Sequence, residues 1–175
     1  MGMVRTMCAQ KPYLFLMNTE FDPLEPYVER YFQRCLLYGM YPSMFSPVAS
    51  SGTGAYWRTP KWYNRDRELH RKYQPVIRRV AEAGWRPITL ARTETPDVLL
   101  ERFGPNEAGE TFLTVFNDGK ERSTAVLVLP KELAAKHATE LLSGESLEVG
   151  EGPEGAAMLS VTLEPEACLA VLLGR

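Results

Sequence analysis

Hydrophobic and polar positions follow two different rhythms along the chain, and the change falls near residue 92. Residues 12–17 (PYLFLM) are apolar on both parities, the pattern of a strand covered on both faces in a parallel sheet. The polar, Pro-punctuated NTEFDPLEP follows. Leu24–Tyr38 then spaces Tyr27, Tyr31, Cys35 and Tyr38 at helical intervals, with Leu24, Val28, Phe32 and Leu36 on the adjoining column. Pro26 near its first turn and Gly39 after its last residue bound this predicted helix. Met40–Phe45 is a weaker strand candidate, because Pro42 lies inside it. Beyond a loop containing Ser51-Gly52-Thr53-Gly54, residues 66–83 put Leu69, Tyr73, Val76, Ile77 and Val80 on one face. They predict a second helix, with Asn64 or Asp66 as N-cap, a kink or break at Pro75 and an end at Gly84.

After residue 92 the runs shorten. Val98–Phe103, Thr111–Asn117, Ser123–Leu129, Ala157–Leu163 and Ala167–Leu173 read as strands separated by turn chemistry such as GPNEAGE, NDGKE and GEGPEG. Asn117-Asp118-Gly119 predicts a hairpin between two of them. Lys131–Leu142 is expected to begin as a short helical turn and to continue into a further strand. The predicted fold class is therefore an α/β fragment followed by an all-β part. Two β/α units occupy residues 1–92 and an antiparallel β-sandwich occupies residues 93–175.

Charge and aromatic content sharpen this division. Residues 1–92 hold 14 Lys/Arg against 7 Asp/Glu, whereas residues 93–175 hold 6 against 15, and 15 of the 18 aromatic residues precede residue 93. Three widely spaced cysteines, Cys8, Cys35 and Cys168, fit neither a disulfide framework nor a zinc site. With His70 and His137 the only histidines, no metal and no cofactor is expected. No leader-like apolar run opens the chain and no stretch is long enough to span a membrane, so a reducing, cytoplasmic setting is expected.

The order of elements brings a family into view. PYLFLMNTEF as a late barrel strand and loop, LEPYVERYFQRCLLYGMYPSMFS as helix plus last strand, and RDRELHRKYQPVIRRVAEAGWRPITLAR as closing helix and linker resemble the end of a (β/α)8 barrel. The run VLLERFG, GETFLTVFNDG, STAVLVL, ELLSGESLEV, LSVTLEPEACLAVLL resembles the C-terminal sandwich of barrel-type glycoside hydrolases. The resemblance implies glycosidic-bond hydrolysis by a full-length parent. A closed barrel needs about 250 residues, and 92 precede the sandwich here. The isolated chain is thus expected to be catalytically inactive, and either to lack an N-terminal barrel or to assemble as a homo-oligomer.

Glycosidases flank the scissile bond with two carboxylates, about 5–9 Å apart, at the carboxyl ends of barrel strands. Glu20 and Asp22, just past the first apolar run, are the candidates, although Asp22-Pro23 also suits a helix start. Asn18 at the strand end suits a sugar hydroxyl, or an ordinary turn. Tyr56, Trp57, Trp62 and Tyr63, interleaved with Arg58, Lys61 and Arg65, form the densest aromatic stretch of the chain. Trp57, Trp62 and Tyr63 could stack on the apolar C–H face of a pyranose beside Arg58, or pack between elements instead. The same mixture suits single-stranded nucleic acid, but no nucleic-acid motif accompanies it, and a carbohydrate is the expected partner. The alternative function is a stand-alone carbohydrate-binding or interaction module built on the sandwich.

Overall fold

A computed structural model describes residues 13–19, 21–22, 27–45, 55–133 and 135–174. Strands β1 (Tyr13–Asn18) and β2 (Met40–Phe45) pair in parallel, from Tyr13↔Met40 to Asn18↔Phe45. Helix α1 (Val28–Tyr38) connects them, and α2 (Pro60–Glu82) follows. Pro42 is tolerated because β2 has one paired neighbour among the described strands, so a missing N–H need not break a central ladder.

The strand β1 differs from its sequence expectation. Phe15 and Met17 pack on the core, but Leu14 and Leu16 on the other face are 62% and 57% exposed. The pair β1–β2 is thus covered on one side among the described residues.

Helix α1 buries Val28, Tyr31, Phe32, Cys35, Leu36 and Leu37. It ends where Gly39 takes a left-handed φ of 56° and its N–H reaches the carbonyls of Cys35 and Leu36. Glycine is needed there for space as well, since a Cβ at residue 39 would lie 2.5 Å from the Phe103 ring. Helix α2 is longer than predicted and starts at Pro60, with Pro in its first turn. It runs for 23 residues without a break at Pro75. Residue 75 is exposed, so the Arg71 carbonyl left without its N–H partner faces the solvent side.

Residues beyond α2 form two antiparallel sheets. Strands β3 (Trp85–Arg86), β4 (Val98–Phe103), β5 (Thr111–Asn117), β7 (His137–Glu140), β8 (Ser146–Leu147) and β11 (Cys168–Gly174) make a six-stranded sheet in the order β3-β4-β5-β11-β7-β8. Strands β6 (Ser123–Leu129), β9 (Val149–Glu151) and β10 (Ala157–Leu163) make a three-stranded one in the order β6-β10-β9. The five longer strands fall where the sequence predicts them. The hairpin does not: β5 and β6 lie in different sheets. Asn117 is buried and its Nδ2 donates to the Glu121 carbonyl at 2.7 Å, while its Oδ1 accepts the Gly119 N–H at 3.0 Å. These bonds turn the chain out of one sheet and into the other.

Two cores result. The first lies between the helices and one face of the six-stranded sheet, and joins Phe32, Leu36, Tyr73 and Ile77 to Phe103, Phe112, Phe116 and Cys168. The second lies between the two antiparallel sheets and joins Leu113, Val115 and Val171 to Leu127, Leu159 and Val161. Every residue of β5 is buried because its alternate side chains enter different cores.

Gly39→Ala tests how tightly α1 abuts β4. Strain at a left-handed residue and overpacking against Phe103 together cost about 2–4 kcal/mol, read as a lower urea midpoint with an unchanged slope.

Candidate functional site

Beyond the carboxyl ends of β1 and β2, the chain gathers aromatic and charged side chains around the start of α2. Thr19 N–H donates to the Phe45 carbonyl at 3.1 Å, which extends the parallel pairing by one bond. The backbone then delivers Phe21, fully buried, against Tyr56 and Trp62, with ring centroids 4.9 Å and 5.4 Å away. A 3-10 turn at Tyr56–Arg58 precedes α2, and the Thr59 hydroxyl donates to the Ala55 carbonyl at 3.0 Å. Trp62 and Tyr63 therefore lie on the first turn of the helix.

Beneath the rings sits a buried polar cluster. Asp66, 2% exposed, accepts from Arg65 Nε at 2.7 Å, from Arg65 Nη2 at 3.0 Å and from the Tyr56 hydroxyl at 2.9 Å. Arg65 Nη1 also donates to the Phe21 carbonyl at 2.8 Å, which ties the β1 loop to the helix. Burial, followed by the Asp66 carboxylate, pushes the Tyr56 hydroxyl far up, so it stays protonated and donates. His70 Nε2 lies 3.4 Å from the Tyr56 hydroxyl. Burial lowers the His70 pKa while Asp66 pulls it the other way, which favours a neutral ring near pH 7.

The predicted site residues occupy different places around this cluster. Asp22 Oδ1 accepts from Lys61 Nζ at 2.8 Å and from Trp62 Nε1 at 2.9 Å. Those two bonds, the Lys61 one first, hold its carboxyl below the usual value, so it is ionised at neutral pH. Trp62 is 8% exposed, with its ring on Phe21. Trp57 is 63% exposed and stands edge-on to Tyr56 at 5.0 Å, with the half-buried Tyr63 ring stacked 6.5 Å away. Arg58 and Asn18 are exposed, and Glu20 lies outside the described residues. The fold thus joins Asp22 to Trp62 and Trp57 to Tyr63. It also recruits Phe21, Asp66 and His70, which the sequence reading left aside. Extending the α2 periodicity back through Tyr73, Leu69, Asp66 and Trp62 would have revealed Asp66 as an inward-facing acid.

Among the described residues, no group of three or more His, Cys, Asp or Glu side chains converges as a metal site would require, and no helix is long and apolar enough to cross a membrane.

No protein-family model and no curated protein matches the chain. Solved structures do. A GH27 β-L-arabinopyranosidase from Geobacillus stearothermophilus aligns with a TM-score of 0.50 and 14% identity over 86% of this chain and 30% of its own. A variant of the same enzyme, in complex with arabinose, aligns equally well, with a TM-score of 0.50. An α-galactosidase candidate from Bacteroides fragilis gives a TM-score of 0.52 and 14% identity over 86% of this chain and 29% of its own. A three-domain cyclomaltodextrin glucanotransferase gives 0.51 and 15% identity over 99% and 39%. The described fold resembles part of each of these carbohydrate-processing enzymes. The chain spans about a third or less of the length of the first two enzymes and 39% of the third.

Two measurements probe the site. Asp66→Ala leaves Arg65 and Tyr56 without their buried acceptor and costs about 3 kcal/mol, read from chemical denaturation. Asp22 has a depressed folded-state pKa, so its contribution is complete above the ordinary carboxylate value and is lost as pH falls through the lower folded value. The Trp62 indole N–H resonance is expected to titrate in that acid range, and Asp22→Asn to abolish the titration.

Proposed function

We propose that this chain is the C-terminal portion of a glycoside-hydrolase-like, carbohydrate-active protein. In this reading residues 1–92 carry the last two β/α units of a barrel together with the sheet-edge strand β3, and residues 93–175 form the rest of its antiparallel β-sandwich. The aromatic site at the start of α2 takes the apolar face of a sugar ring. The observation that carries the reading is the order β1-α1-β2-α2 with parallel strands and the site beyond their carboxyl ends, the position where α/β proteins bind ligands.

Trp57 is the ring with surface to offer. Tyr63 backs it, and Arg58, next to Trp57 in sequence, and Asn64, next to Tyr63, are exposed. Asp22 is engaged by Lys61 and Trp62, which suits an acid that shapes the loop or holds a sugar hydroxyl. Hydrolysis belongs to the complete parent, whose carboxylate pair draws on residues outside this chain. The exposed Leu14 and Leu16 support that reading, since neighbouring barrel strands would cover them.

A second reading has its own support. The helices share the first core with Phe103, Phe112 and Phe116 of the six-stranded sheet, as expected of a self-standing carbohydrate-binding module. Light scattering separates the two, because an incomplete barrel with open apolar strands should self-associate while a module stays monomeric.

Titration with arabinose and galactose, followed by tryptophan fluorescence, tests sugar binding. Trp57→Ala is expected to weaken binding severalfold, on the scale of one stacked ring, while leaving the unfolding midpoint nearly unchanged. No turnover of aryl glycosides is expected from the 175-residue chain. Turnover abolished by Glu20→Gln or Asp22→Asn would overturn the inactive-portion reading.

A further inference from the structure

At the free edge of the six-stranded sheet, far in sequence from the aromatic site, two arginines face each other. Arg86 on β3 is directly opposite Arg102 on β4. Opposed residues of an antiparallel pair share one face, with Cβ atoms about 4.5–5.5 Å apart. Arg102 is also opposite Leu113. Because Leu113 belongs to the second core, both guanidiniums lie on the side turned towards the three-stranded sheet.

Like charges in this register destabilise a sheet, and the usual remedy is an acid within reach. Among the described residues neither arginine has an acid within ion-pair distance. Glu101, adjacent in the chain, belongs to the opposite face, where Trp85 Nε1 donates to it at 2.6 Å. Arg86 Nε donates to the Gly104 carbonyl at 3.1 Å, which fixes that guanidinium while making no use of its terminal nitrogens. Arg102 Nε is buried and meets no acceptor. Desolvation, followed by the charge of Arg86, lowers the Arg102 pKa, as expected for two cations held close without a counter-charge.

We propose that Arg86 and Arg102 form an oxyanion site that takes a carboxylate, phosphate or sulfate group. A planar or tetrahedral oxyanion accepts several N–H bonds at once from guanidinium forks. Bound between the two half-buried arginines, it would remove their repulsion and supply the counter-charge that both lack among the described residues. The site is independent of the sugar-binding reading and would persist if that reading failed.

The test uses the full chain with sodium phosphate, sodium sulfate, sodium acetate and sodium chloride at matched ionic strength. Thermal unfolding and the Arg Nε–H resonances of 15N-labelled protein are followed in each. Saturable shifts of the Arg86 and Arg102 Nε–H signals are expected with phosphate or sulfate, or with acetate if carboxylates are preferred, together with a raised unfolding midpoint. Chloride should produce neither. Arg102→Gln should weaken binding about tenfold or more, on the scale of lost charge-assisted bonds. The unliganded variant should be no less stable than the parent chain, since the repulsion is gone. Shifts equal in all four salts would overturn the proposal, as would stabilisation that persists in Arg86→Gln and Arg102→Gln. In that case the arginines serve only to guard the sheet edge against pairing with another strand. The resonance measurement is made on the unsubstituted chain, so it decides the matter even if a variant fails to fold.

Discussion

Helix α1 is the member through which the other parts are joined. Its buried face lies between α2 and the six-stranded sheet, and polar bonds to both sides fix its position. Gln33 does this with one side chain, donating through Nε2 to the Tyr73 hydroxyl at 2.6 Å and accepting the Cys168 N–H at 2.7 Å. Thr114 Oγ1 donates to the Leu37 carbonyl at 2.7 Å, satisfying an acceptor that the end of a helix would otherwise leave open. Glu29 accepts from Lys72 and from the Tyr73 hydroxyl on α2. The apolar face makes the contact favourable, and these bonds allow it one register.

That seat determines where the candidate site lies. With α1 fixed, β1 and β2 are parallel and end on the same side, and Tyr31 reinforces the pair by accepting the Ser43 N–H at 2.7 Å while its hydroxyl also bonds the Phe15 carbonyl. Phe21, just past β1, and Tyr56, just before α2, meet at the start of that helix, where Arg65 and Asp66 bind the Phe21 carbonyl and the Tyr56 hydroxyl. Trp57 is exposed and stands against Tyr56, whose hydroxyl the buried Asp66 carboxylate holds in place.

Local pattern made much of this legible. The strands of the antiparallel part were readable because alternation and turn residues act over a few positions. The helices were readable from periodicity, although Pro60 began α2 earlier than Asn64 or Asp66 suggested. What local pattern lacked was the tertiary partner. Asn117-Asp118-Gly119 has hairpin composition, yet the Asn117 side chain bonds across to Glu121 and towards Leu163, and so serves a change of sheet. Trp62 reads as a surface platform until Phe21 and Asp22 arrive from 40 residues away to cover its ring and bind its N–H. Residues 12–17 read as doubly covered because apolar content alone does not say whether a cover is present.

The open side of β1 carries a consequence for how the molecule comes apart. Leu14 and Leu16 contribute little burial, and each strand of the pair has a single hydrogen-bonded neighbour among those described. Strand β5, by contrast, is flanked on both edges and covered on both faces. Opening free energies for backbone amides should therefore form a gradient across the chain, highest in β5 and β11 and lowest in β1. The parallel pair would be a separate subglobal unit whose opening withdraws Phe15, Met17 and Met44 from the first core and leaves the second core closed.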